Sequence, residues 1–183
     1  MAVKTFTTGE VLTASDTNTY LANSGLVYVT SASLSGQTGV NIDNCFTSTF
    51  RNYLIVADFT TSASETVIYQ MRSGGTTNTG SNTDSLQTYM IWGSTTVYAN
   101  QLTNQNYAYF GYGNTNGAGV ALTLFGPQLA KYTYSASENP MADYRSTSWS
   151  KHNVATQYDG IRIASYGTNT ITGRILVYGY RIS

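Results

Sequence analysis

His152, in "WSKHNV", is the only histidine among 183 residues, so any Ser-His-Asp or Cys-His arrangement would have to use it. Cys45 or one of many serines would then be the nucleophile. Neither G-x-S-x-G nor another nucleophile-elbow context occurs, and a surface or loop histidine is the expectation. Cys45, in "NIDNCFTSTF", has no second cysteine for a disulfide and no nearby histidine for a metal site, and is expected to be a buried structural thiol. Nine acidic residues could include a glycosidase pair, which needs two carboxylates about 5 to 10 Å apart across a cleft. Asp58, Glu65, Asp143 and Asp159 lie on separate segments and point to no such pair. "GYGNTNG" (Gly111 to Gly117) departs from G-x-G-x-x-G spacing and leads into strand-like sequence, so it predicts a turn rather than a phosphate loop. "YDG" at Tyr158 to Gly160 lacks the repeated acidic ligands of a calcium loop. No catalytic residue, cofactor or metal is expected, and the chain is not expected to be an enzyme.

Composition narrows the alternatives. Net charge is zero and only 10% of residues are charged, where about 25% is usual. Ser and Thr together make up about a quarter of the chain, so its surface is hydroxyl and amide rather than ionic. Nine basic residues scattered along the sequence predict neither a nucleic-acid partner nor a polybasic membrane anchor. With 41% hydrophobic and 13% aromatic residues, disorder is not expected either. The N-terminus lacks the apolar segment of a secretory signal, and no stretch approaches the ~18 apolar residues of a membrane span. Synthesis in a cytoplasm as a soluble chain follows, with lysis as a route outward.

Any site must be positioned by strands, because from Leu26 onward the hydrophobic period is two. "LVYVTS" opens as a strand. "NYLIVADF" (Asn52 to Phe59) has the near-continuous apolar run of a strand covered on both faces. In "TVIYQMRS", Val67, Tyr69 and Met71 are expected in the core, with Ile68, Gln70 and Arg72 on a half-wet face. Further strands are expected at Leu86 to Trp92, Thr95 to Ala99, Asn106 to Tyr112, Gly119 to Gly126, Tyr144 to Ser150, Gly160 to Tyr166 and Ile171 to Ile182. Turn clusters separate them: "SGGTTNTGSNTD", "GNTNGAG", "SENP" and "GTNT". Ser73 to Ser85 is expected to be a mobile surface loop. Short strands at this spacing predict an all-β protein, an antiparallel β-sandwich of jelly-roll type over residues 26–183.

Residues 1–25 differ. Thr13 is a credible N-cap with Asp16 three positions on, and Gly25 a stop, which predicts a short helix from about Ala14 to Asn23. Its apolar residues are few, so it must dock on its own sandwich or on another chain.

Phe6, Gly9, Leu12, Thr13, Ala14, Asp16, Asn18, Tyr20 and Leu21 resemble an N-terminal pattern, F-x-x-G-x-x-L-T-A-x-D-x-N-x-Y-L, of virion structural proteins of tailed bacteriophages. "FRNYLIV" (Phe50 to Val56) and "ITGRILVYGYR" (Ile171 to Arg181) are similar to the same group, particularly in phages of cyanobacteria and other aquatic hosts. The resemblance implies a β-rich, often trimeric protein on the outside of a phage particle, made in the bacterial host, decorating the capsid or forming part of a fibre. The pattern usually has an apolar residue where this chain has Thr17.

Tyr-rich sheet faces can stack on sugars, such as a host-surface glycan, or form protein interfaces, or be ordinary strand surface with wet hydroxyls. In the last strand Ile175 and Val177 point one way and Leu176, Tyr178, Tyr180 and Ile182 the other, so both faces need cover. A neighbouring subunit of a homotrimer would supply it, or else the chain's own loops or initial helix. The leading expectation is a trimeric capsid decoration (cement) protein bound to the major capsid protein or another virion protein. Phe6, Leu12, Tyr20 and Leu21 would be its docking anchors. A tail or head fibre protein binding a host glycan is the alternative, and a polysaccharide-degrading enzyme a third.

Overall fold

The computed structural model describes residues 7–11, 13–16 and 25–181. Of the helix expected over 14–23 these hold one turn, Ala14–Asp16, too short to count as that helix; residues 17–23 lie outside the described residues. From Leu26 onward the described chain forms thirteen strands, all paired antiparallel. They are β1 (Leu26–Gln37), β2 (Gly39–Ile42), β3 (Phe50–Thr61), β4 (Glu65–Ser73), β5 (Thr76–Thr77), β6 (Thr83–Ile91), β7 (Tyr98–Gln105), β8 (Ala108–Gly113), β9 (Ala118–Phe125), β10 (Thr133–Pro140), β11 (Tyr144–His152), β12 (Gly160–Ser165) and β13 (Ile171–Arg181).

Two sheets face each other. The broad sheet has the order β1-β13-β3-β9-β10-β11-β6-β7; the narrow one runs β2-β12-β4, with β5 and β8 both paired to the far side of β4. β1, β13, β3 and β9 in one layer and β2, β12, β4 and β8 in the other have the pairing of an eight-stranded jelly roll. β10, β11, β6 and β7 are additional. They widen one sheet only, well past the jelly roll.

Alternation puts the core between the layers. Tyr53, Ile55, Ala57 and Phe59 of β3, Val120, Leu122 and Leu124 of β9, and Ile171, Ile175 and Val177 of β13 are buried against Val67, Tyr69 and Met71 of β4, Phe110 of β8 and Ile161 and Ile163 of β12. Burying each such side chain stabilises the fold by about 1.5 to 3 kcal/mol relative to leaving it in water.

The additional strands turn a different inner face to the narrow sheet. Ser135, Ser137 and Asn139 of β10, Ser146, Ser148, Ser150 and His152 of β11, and Thr83, Ser85 and Gln87 of β6 are all buried. Polar residues this deep need partners. Several find them on β8, whose side away from β4 has no neighbouring strand among the described residues. Ser137 Oγ donates to the Phe110 carbonyl (2.6 Å). Asn139 Oδ1 accepts from the Tyr112 N–H (2.7 Å), while its Nδ2 donates to the carbonyls of Tyr112 (3.3 Å) and Gly119 (2.8 Å). Side chains of one sheet thus satisfy the backbone edge of the other. Gly111 makes room: a Cβ there would lie 2.6 Å from Val120 and 3.0 Å from the Asn139 amide carbon.

Several expectations change. β3 is buried on one face only, with Leu54 and Val56 half-exposed, because no second layer lies over the broad sheet's outside among the described residues. In β4, Ile68, Gln70 and Arg72 are buried rather than half-wet. Gln70 Nε2 donates to the Asn106 carbonyl, and Arg72 is held by Asp43 (2.6 Å) and capped by Thr77 and the Gly75 carbonyl. The segment 73–85 contains β5 and the start of β6, the strand expected over 95–99 instead spans β7, and "SENP" belongs to β10 rather than a turn.

Replacing Asn139 by Ala leaves two part-buried carbonyls and one N–H without these partners. The expected cost is about 3 kcal/mol, measured as a lower urea midpoint with an unchanged slope.

Candidate functional site

The residues with chemical potential are engaged in structural hydrogen bonds. His152 is buried, not on the surface or in a loop, because it ends β11 on the inward face. Its Nε2 lies 2.6 Å from Tyr158 Oη and its Nδ1 3.0 Å from Thr83 Oγ1. Asn78 Nδ2 donates to Tyr158 Oη (2.6 Å), so that hydroxyl is set to donate to Nε2 and the ring proton sits on Nδ1. Burial holds His152 below its ordinary value and keeps it neutral. Cys45 is the expected buried thiol; its Sγ donates to the Ile42 carbonyl (3.3 Å), and burial pushes its pKa up to about 12. Glu65 accepts from Asn169, Asp143 from Asn114, and Asp159 from the Gly74 N–H, each bracing a connection between strands. Asp58 is exposed on β3, across from Arg174 of β13. Among the described residues no three His, Cys, Asp or Glu side chains cluster to hold a metal.

The outer face of the broad sheet is different in character. Strand register lines up Leu26, Tyr180, Asn52, Phe125, Tyr134, Lys151 and Asp84 in one row, and Tyr28, Tyr178, Leu54, Thr123, Ala136, Trp149, Leu86 and Gln101 in the next. Seven of the fourteen exposed large apolar side chains among the described residues stand in these two rows. Scattered exposed apolar residues are ordinary, whereas a band of them is a candidate interaction surface.

The band has two parts. Over the jelly roll it consists of Leu26, Tyr28, Leu54, Leu176, Tyr178 and Tyr180, with Tyr28 and Tyr178 edge to face at 6.0 Å. Of the expected interface residues, Leu176 and Tyr178 are half-buried, Tyr180 is exposed, and Ile182 lies outside the described residues. The anchors Phe6, Leu12, Tyr20 and Leu21 all lie outside them too.

Over β9, β10, β11 and β6 the band becomes a groove of about 530 Å³. Small Ala136 floors it, flanked along β10 by Tyr134 and across the sheet by Thr123 and Trp149. Phe125 and Tyr134 form one wall, Trp149 and Leu86 the other, and Gln101 and Thr103 of β7 the rim. Trp149 and Tyr134 keep 50% and 48% of their surface exposed. At one end Lys151 Nζ meets Asp84 Oδ2 at 3.0 Å, and Asp84 Oδ1 accepts the Asn104 N–H at 3.0 Å. The Asn104 N–H and then Lys151 hold the Asp84 carboxyl below the usual carboxylate range.

Sequence reasoning missed Phe125, Tyr134 and Trp149 as neighbours. The alternation of "YTYSASEN" puts Tyr134 on the face opposite Ser135 and Ser137, but only strand register brings it beside Phe125 and Trp149. The chain matches no known family model and no curated protein.

The unfolded chain takes up a proton at His152 near pH 6.5 that the native state refuses. Stability is therefore expected to fall as pH drops below about 6.5, down to the depressed native value. His152→Gln should flatten that part of a plot of urea midpoint against pH, whatever it does to stability at pH 7.

Proposed function

We propose that this chain is a structural protein on the exterior of a tailed-phage particle, a trimeric capsid decoration protein that seats on the major capsid protein and acts by binding alone. The observation that carries this is the apolar outer face of β1, β13 and β3, a strand-built surface without a covering layer among the described residues. Copies around a threefold axis would each cover that face on the next. The resemblance of Phe6 to Leu21, Phe50 to Val56 and Ile171 to Arg181 to phage virion proteins supports the setting.

In this proposal residues 1–24 dock to the shell, with Phe6, Leu12, Tyr20 and Leu21 as anchors. Three such segments on one trimer act together. Once the first is bound, the others meet their sites at roughly millimolar effective concentration, so weak contacts add to firm attachment. With few charges on the chain, the attachment is less sensitive to salt than an ionic one.

A tail or head fibre protein is the second reading, favoured by the aromatic groove. Copy number on a stained gel of purified particles separates the two, since a decoration protein is present in far more copies than a fibre.

Removing residues 1–24 is expected to leave a folded oligomer that no longer binds phage heads; full occupancy by the truncated protein would refute the docking role. Tyr178→Glu or Leu176→Glu places an unpaired charge in the proposed subunit contact. Either should shift the light-scattering mass toward monomer, and an unchanged mass would count against that interface.

A further inference from the structure

We infer that the groove over Ala136 is a binding site for a neutral oligosaccharide, with Trp149 and Tyr134 as stacking platforms and Asp84, Lys151 and Gln101 as the hydroxyl-reading groups. This goes beyond the proposed virion role and concerns the sandwich alone, so it holds or fails independently of where the chain is attached.

Register generates the shape. Tyr134 stands directly across from Phe125 on β9 and from Lys151 on β11, while Trp149, one row on, stands across from Ala136 and Leu86. Side chains directly across are about 5 Å apart and diagonal ones about 7 to 8 Å. Two exposed ring systems therefore flank a floor that carries only a methyl group. A pyranose presents an apolar C–H face to such rings and directs its hydroxyls outward around the edge. Those hydroxyls need both donors and acceptors. Lys151 supplies donors, Asp84 acceptors, and Gln101 one of each kind on a single amide.

The charges define the class of sugar. Among the described residues Asp84 and Lys151 are the only ionised side chains lining the groove, and they neutralise each other at 3.0 Å. A phosphate, sulfate or uronate would meet a cation already paired and a carboxylate beside it. Nucleic acid fails for the same reason, lacking the several free cations its backbone requires. An extended peptide recognised through its backbone needs a free strand edge, whereas β9, β10, β11 and β6 are each paired on both sides beneath the groove. A second copy of this chain presenting the same groove face to face would leave two hollows unfilled.

The test is calorimetric titration of the full chain with three neutral probes, cellohexaose, maltohexaose and chitohexaose, each to ~10 mM, enough to detect a Kd of ~1 mM. Saturable binding of at least one is expected, with dextran sulfate giving none. Trp149→Ala and Tyr134→Ala should each weaken it by about tenfold. Both side chains are half in water on the outer face, and an unchanged urea midpoint would show the fold intact. Absence of binding to all three probes overturns the inference, as does binding that both variants leave unaltered or that dextran sulfate reproduces. Self-association abolished by Trp149→Ala also overturns it, because another copy would then be the occupant.

Discussion

A β-sheet that stops short must do something with its last row of backbone hydrogen-bonding groups, and in this protein that requirement shapes half of the molecule. The narrow sheet ends at β8 while the broad sheet continues for four more strands. Rather than meeting water or another strand, the outer edge of β8 is met by Ser137 and Asn139 rising from the broad sheet beneath it. Asn139 gives its oxygen and one amide proton to Tyr112 of that edge and its other amide proton to the Gly119 carbonyl of β9, and Ser146 adds a further bond to the oxygen at 3.4 Å. Small hydroxyl residues allow the two layers to approach, and the buried ladder from Tyr69 through Ser135, with Ser85 facing Ser150, continues the arrangement. Hydrogen-bonded polar networks fix a single packing more strictly than an apolar surface does, although Thr133 Oγ1 on the same face of β10 is buried without a partner.

The same requirement explains why the outer face is so apolar. On β10 and β11 every second residue is committed to the polar interior, so the remaining alternate positions project outward: Tyr134, Ala136, Glu138 and Pro140 on β10, and Arg145, Thr147, Trp149 and Lys151 on β11. Around Tyr134, Ala136 and Trp149 the usual arrangement of apolar inside and polar outside is reversed, while Glu138, Arg145 and Lys151 keep the rest of this face charged. Strand propensity still favours aromatic residues at such positions, and they gather on the one surface left to them.

That reversal also marks where sequence was informative and where it was not. The jelly-roll strands follow the ordinary rule, and the opposed faces of β13, with Ile175 and Val177 in the core and Leu176, Tyr178 and Tyr180 outside, were legible from alternation alone. β10 was not, because a period-two pattern of serines gives the same composition as a turn, and "SENP" contains the residues that turns prefer. His152 was expected on the surface or in a loop for a related reason: nothing local reveals that the chain turns Tyr158, six residues on, back onto the ring or brings in Thr83 from a distant strand. The groove was illegible because it exists only through the register of four strands. Phe125, Tyr134, Trp149 and Leu86 become neighbours by pairing, and no spacing along the chain encodes it.

The position of β13 carries a consequence for biosynthesis. It lies between β1 and β3, and among the described residues β1 has no other partner in its sheet. The earliest long strand of the described chain therefore lacks its β13 partner until residues 171–181 emerge. With synthesis at ~5 to 20 residues per second, that interval lasts on the order of ten seconds or more. During it β1 relies on its own composition, "LVYVTSASLSGQ", in which serine, threonine and glycine thin out the apolar residues beyond Val29, to avoid joining a neighbouring nascent chain.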